Sequence, residues 1–202
     1  VRRAVELAAA AIAMLACAGA VQAHHSASMF VLTAPVWVQG TVVRFDRVNP
    51  HSIVTVEEET KGGQVHRWAV EGPDLRRLDL RGIDQSFLEA GAVVRFCAFP
   101  LKEEWAARPP SAVTAARSAQ FVHGHILVMP DGQKLPWGSY GKLGECIRSD
   151  DDGERQSWLD FLNSNPQIRD ALCRERSSSF QTTEASKAFV EEINALLAKP
   201  CE

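Results

Sequence analysis

Five runs rich in β-branched and aromatic residues, separated by turn signals, constrain this chain more than any other feature. They occupy residues 36–45, 51–57, 64–71, 92–99 and 121–129. Val, Ile, Thr, Phe and Trp recur in them as a pleated, half-buried surface requires. Gly40 suits a bulge or a sharp bend within the first run. Asn49-Pro50 turns the chain into the second, and Lys61-Gly62-Gly63 makes a hairpin into the third. Between the third and fourth runs, residues 73–78 read as a short helix with Pro73 near its first turn and Gly82 as its stop. Residues 84–90 are expected to add a further helical turn, ended by Gly91. Five strands with a helical element after the third is the plan of an OB-like barrel: mainly β, small and partly open. Another small barrel or sandwich is the competing fold. An OB barrel uses its strand 1–2 and 4–5 loops at one rim, here residues 46–50 and 100–119. A twenty-residue connection inside a small domain is more often functional than idle.

The N-terminus reads as an export signal. Arg2 and Arg3 precede an apolar or small-residue run over 7–20, too short to span a bilayer, and Val21-Gln22-Ala23 supplies a signal peptidase site. A cut after Ala23 makes His24 the first residue of a periplasmic or secreted protein. A lipoprotein cut before Cys17 competes with it, although Leu15 is large for that site. Cleavage after Ala23 leaves 179 of the 202 residues, and loss of Arg2, Arg3 and Glu6 moves the formal charge from −3 to −4. A mildly acidic chain has no general attraction for phosphate backbones, so nucleic acid is not expected as a partner. No second apolar run is long enough for a transmembrane segment.

Three parts are expected: a signal peptide (1–23), the barrel (24–148) and a helical extension (149–202). The run Ser149 to Glu154 reads as a solvated acidic entry to the first of three helices, near 154–163. Pro166 opens the second, and Thr182 or Thr183 caps a third with Phe189, Val190, Ile193, Leu196 and Leu197 on one face. Cys97, Cys146, Cys173 and Cys201 suit two disulfides in an oxidising compartment. An up-down-up helix order favours Cys146–Cys173 with Cys97–Cys201, since Cys173 and Cys201 would then lie about 20 Å apart.

Several short motifs bear a resemblance. Ala23-His24-His25-Ser26, Gly40-Thr41-Val42, Asn49-Pro50-His51, Trp68, Leu78 with Gly82, Leu88-x-x-Gly91 and Pro130-Asp131-Gly132 together resemble a family of exported bacterial proteins known only as a domain of unknown function. The resemblance covers about residues 20–135. It implies export and a small β-barrel, and brings no activity. Val31 departs from the family's usual acidic residue, and the chain beyond residue 140 lies outside the pattern.

The histidines carry the functional expectation. His51 stands at the strand 1–2 loop, and His123 and His125 follow the long rim loop. Two apart on one strand, they should share a face with Phe121, Leu127 and Met129. A mature His24 would chelate a metal through its α-amine and Nδ1, and an imidazole from His51, His123 or His125 would complete a nitrogen-rich set suited to copper(II). For that, residues 24–35 must run back along the first strand; twelve extended residues span about 40 Å. This arrangement resembles the histidine brace of copper-handling exported proteins, by chemistry and not by fold. Two other readings stand beside it. One is an OB-type binding or assembly module for a small molecule, glycan or protein. The other is an oxidative copper enzyme. Signatures of common hydrolases, zinc proteases and dithiol oxidoreductases are absent, so no catalytic residue is assigned.

Overall fold

A computed structural model describes residues 27–106, 119–138, 141–177 and 182–201. Strands β1 (Val36–Asp46), β2 (Ile53–Glu59) and β3 (Val65–Glu71) form an antiparallel meander, and β4 (Val93–Pro100) pairs with the other edge of β1. Strand β5 (Gln120–Val128) lies antiparallel to β4 and parallel to β3, from Trp68 opposite Gln120 to Glu71 opposite His123. That parallel seam closes a five-stranded barrel in the order β1-β2-β3-β5-β4. The OB-like architecture expected from the strand and turn pattern is therefore present. At Gly40 a Cβ would stand 2.1 Å from the Glu57 carbonyl oxygen, so only glycine lets β1 and β2 cross this closely.

Helix α1 (Leu75–Leu80) follows β3. The Asp74 carboxylate caps it by accepting from the Arg77 N–H at 2.9 Å, and Gly82 ends it in the left-handed region. Leu78, Ile83 and Leu88 seal this part of the barrel core. Residues 84–90 are turns, not the extra helical turn expected of them; the side chain of Asp84 accepts from the Ser86 N–H, bending the backbone away from helix. A short helix, α2 (Glu103–Ala106), opens the connection between β4 and β5, most of which lies outside the described residues.

The barrel interior is apolar: Val38, Val54, Val70, Phe96, Val122 and Leu127 surround Trp137. Strand β5 carries a bulge. Ala98 of β4 faces Gly124 and Cys97 faces Ile126, which leaves His125 as the extra residue. The His125 carbonyl accepts from the N–H groups of Trp137 and Gly138 at 2.8 and 3.2 Å. Here β5 exchanges β3 for a sixth strand, β6 (Lys134–Pro136), which the sequence reading did not contain. The bulge also corrects the expected face. Phe121 and Ile126 belong to the outer cluster, whereas Leu127 turns inward and Met129 packs against the interior.

Four helices follow: α3 (Leu143–Arg148), α4 (Arg155–Ser164), α5 (Pro166–Ser177) and α6 (Glu184–Leu196). The last three match the expected extension, and Thr183 is the cap of α6. Helix α3 was not anticipated; its six residues are too few to show a period. Cys97, Phe99, Phe121 and Ile126 on the outside of the barrel share one apolar cluster with Cys146, Trp158, Leu172 and Ile193 of the helices. Trp37 donates to Ser149 at 3.1 Å, and Arg95 pairs with Asp150. Asp150 is therefore buried, although the acidic run was read as wholly solvated; Asp151, Asp152 and Glu154 are exposed.

The disulfides are Cys97–Cys146 and Cys173–Cys201, not Cys146–Cys173 with Cys97–Cys201. The unforeseen α3 carries Cys146 onto the outer face of β4, and α6 stops at Leu196. The last residues then leave the helical path, with the Ala198 N–H donating to Asn163 at 3.0 Å, and return Cys201 to α5. Treating α6 as running on to Cys201 is what separated Cys173 from Cys201 on paper. Among the described residues, no helix is long and apolar enough to cross a membrane.

Candidate metal centre

The parallel seam brings together side chains that are far apart in sequence. His51 precedes β2, Glu71 ends β3 and His123 lies early in β5. Glu71 is opposite Ile53 on one side and His123 on the other. Its carboxylate thus stands between two imidazoles, with Oε2 3.0 Å from His123 Nδ1 and Oε1 3.7 Å from His51 Nδ1. His51 Nδ1 also lies 3.3 Å from the Gly72 carbonyl oxygen. The Glu71 side chain is 5% exposed, while those of His51 and His123 are 26% and 21% exposed.

These contacts set the proton positions. A carbonyl or carboxylate oxygen only accepts, so both Nδ1 atoms carry hydrogen and donate. In the neutral ring the lone pair is then on Nε2 in both His51 and His123. A carboxylate behind Nδ1 is the way metal-binding imidazoles are oriented and made more basic. A buried carboxylate is costly without such donors.

The histidine cluster extends inward. The His125 ring meets that of His123 edge-on at 4.9 Å and that of Phe99 at 4.8 Å. Its residue is 3% exposed, so it supports His123 from beneath. Phe30 stacks on the other side of His123 at 5.0 Å with 25° between ring planes. Phe30 is held there by backbone pairing beside the end of β4: Val31 N–H donates to Pro100 and Lys102 N–H to Met29, both at 2.9 Å. Phe30, in the described part of the chain before β1, therefore lies at the rim that holds His123. From residue 30 to residue 24 is six residues, a reach of about 20 Å. His24 itself lies outside the described residues, as does His25. Among the described residues, no three His, Cys, Asp or Glu side chains converge to hold a metal ion.

Sequence reasoning placed His51, His123 and His125 at one rim and missed Glu71 and Phe30. Nothing in the local sequence around Glu71 separates it from any strand-ending glutamate. Only the register of β3 against β5 reveals it.

The motifs in residues 20–135 resembled a family of unknown function, and a family model matches part of the chain. Residues 11–108 match the family of unknown function DUF6152. The DUF6152 match contains β1 to β4, with Phe30, His51 and Glu71 among its residues. His123, His125 and the helices from α3 onward lie beyond it, so the site joins the DUF6152 segment to the strand that follows it. No curated protein matches the chain.

Proposed function

We propose that this is an exported periplasmic protein that binds copper through the amine and imidazole of a mature His24, together with Nε2 of His51 and His123. The observation that carries this reading is the placement of Glu71, which takes the Nδ1 side of two imidazoles and so puts the lone pair of each neutral ring on Nε2. Two imidazole donors are fewer than copper(II) takes in a tetragonal site, and an N-terminal histidine supplies the amine and ring nitrogen that remain. Stacking of Phe30 on His123 supports the reach of the N-terminal segment. The two disulfides support an oxidising compartment and hence export. His125 is buried beneath His123 and serves as packing rather than as a donor.

Titration of the chain beginning at His24 with copper(II), followed by its paramagnetic spectrum, tests this reading. One equivalent should bind with a nitrogen-rich signal, and His51→Ala should weaken binding. Ill-defined stoichiometry that His51→Ala leaves unchanged would remove the proposal.

A second reading is favoured by one observation, the lack of a three-donor set among the described residues. On it the barrel is a metal-indifferent binding or assembly module whose rim takes a small molecule, glycan or protein. Thermal stability unaffected by copper, with a ligand that shields the 100–119 connection from protease, distinguishes it.

A further inference from the structure

A cavity of about 530 Å3 lies between β6 and α4 and shares no residue with the histidine site. Strand β6 pairs with residues 126–128 of β5, beyond the bulge from His123, so the two places are apart on the barrel. The volume falls within the roughly 300–1,000 Å3 of small-molecule sites. One wall is a face of α4, where Ser157, Asp160, Phe161 and Ser164 recur at helical spacing. Gln133 and, within β6, Leu135 and Pro136 form the other, and Gln167 of α5 also lines the space.

The fold already engages the cations of this lining. Arg81 donates to the carbonyl oxygens of Pro136, Trp137 and Gly138 at 2.7, 2.9 and 3.2 Å. Lys134 donates to the Ser157 hydroxyl and lies 4.9 Å over the Trp158 ring, with the carboxylates of Asp150 and Glu154 close by. Neither side chain marks the cavity for an anion. The Arg81 contacts also take carbonyl oxygens on which an added peptide strand would depend, and Pro136 has no N–H to give. The side chains that face solvent here are of another kind. Gln133, Gln167 and Asp160 are exposed, and Phe161, Leu135 and Pro136 are half-buried beside them. An amide both donates and accepts, and a carboxylate accepts from two directions. Asp160 Oδ1 is steadied by Gln156, which donates to it at 2.8 Å. A sugar ring presents hydroxyls at its edge and an apolar C–H face that lies flat on an aromatic ring, so it uses both kinds of group at once. We propose that this cavity binds a neutral oligosaccharide, with one sugar ring against Phe161 and its hydroxyls bonded to Asp160, Gln133 and Gln167.

The experiment titrates the full chain with neutral tetrasaccharides of glucose, N-acetylglucosamine, mannose and galactose, and with the anionic tetramer of galacturonic acid, followed by calorimetry. At least one neutral sugar should bind with a dissociation constant of about 1 mM or tighter. Gln167→Ala and Asp160→Asn, both at exposed positions, should each weaken it about fivefold through a lost or weakened hydrogen bond. Phe161→Leu should weaken it further, with circular dichroism as the control, because Phe161 also packs against the helical core. His51→Ala should leave it unchanged, and so should a rise in salt from about 0.1 M to 1 M, since no ion pair is formed. Absence of binding for all four neutral sugars at about 10 mM would overturn the proposal. So would an affinity untouched by Gln167→Ala and Asp160→Asn, a loss on His51→Ala instead, or tighter binding of the galacturonic acid tetramer that salt abolishes.

Discussion

Glu71 and His123 are opposite residues across the parallel pairing of β3 with β5, with the carboxylate 3.0 Å from the imidazole Nδ1. Because β3 and β5 meet there, the same contact both helps close the barrel and fixes the direction in which Nε2 points.

Glu71→Gln should therefore lower copper affinity with little change in fold. Removing an outer hydrogen-bond partner of a metal-binding histidine typically costs about 10–100-fold in affinity. Competition titration against a chelator of known strength measures it, with far-ultraviolet circular dichroism as the control for folding. Affinity equal to that of the unaltered chain would show that Glu71 does not orient His123.

A separate buried carboxylate makes stability depend on pH. Glu175 lies under α3, where burial pushes its carboxyl up to about 7, against the opposing effects of the Gly144 N–H, which it accepts at 3.0 Å, and Lys142. The ordinary value is 4.5, so between about 4.5 and 7 the folded chain holds a proton that the unfolded chain has released. Stability then falls as pH rises through this window, and the contribution is fully present only below it. The whole effect is about 3 kcal/mol. Denaturant unfolding at pH 5 and pH 8 should show most of this loss, and Glu175→Gln should remove most of it. A variant with the same pH slope as the unaltered chain would place the proton elsewhere.

The Cys97–Cys146 bridge closes a loop of 49 residues between the barrel and α3. Chain-entropy reasoning gives it about 4 kcal/mol. The double variant Cys97→Ala, Cys146→Ala should lose roughly this much in equilibrium unfolding, with some further loss from the cavity left among buried neighbours. A loss below about 1 kcal/mol would mean that apolar packing alone seats α3.

Gly124 is a sharper test of the barrel interior. A Cβ there would stand 2.7 Å from both Trp137 Cδ1 and Val70 Cγ1. Gly124→Val should cost about 1–3 kcal/mol through overpacking, and should alter the near-ultraviolet signal of Trp137. Unchanged stability would argue against Trp137 filling the interior.

Much of the barrel was legible because strand runs and turn residues carry local signals. Gly40, Lys61-Gly62-Gly63 and Gly82 each mark a backbone event that follows from residue type. What could not be read depends on pairing between distant segments. The bulge at His125 reverses the face of every later residue in β5, and the alternation of residues 121–129 contains no mark of it. The disulfide pairing turned on α3 and on where α6 stops, each a matter of a few residues. The same limit explains the site. His51 and His123 were assigned to one rim from loop positions, whereas Glu71 becomes visible only when β3 and β5 are placed in register.

The central proposal is that His24 binds copper with both its amine and its ring, beside His51 and His123. The most direct test is the copper(II) dissociation constant of the chain starting at His24, compared with the same chain carrying one added alanine before it. Moving the amine away from His24 should weaken binding by at least about tenfold, or 1.4 kcal/mol, and should change the nitrogen pattern of the paramagnetic spectrum. Equal affinity and an identical spectrum for the two chains would contradict it.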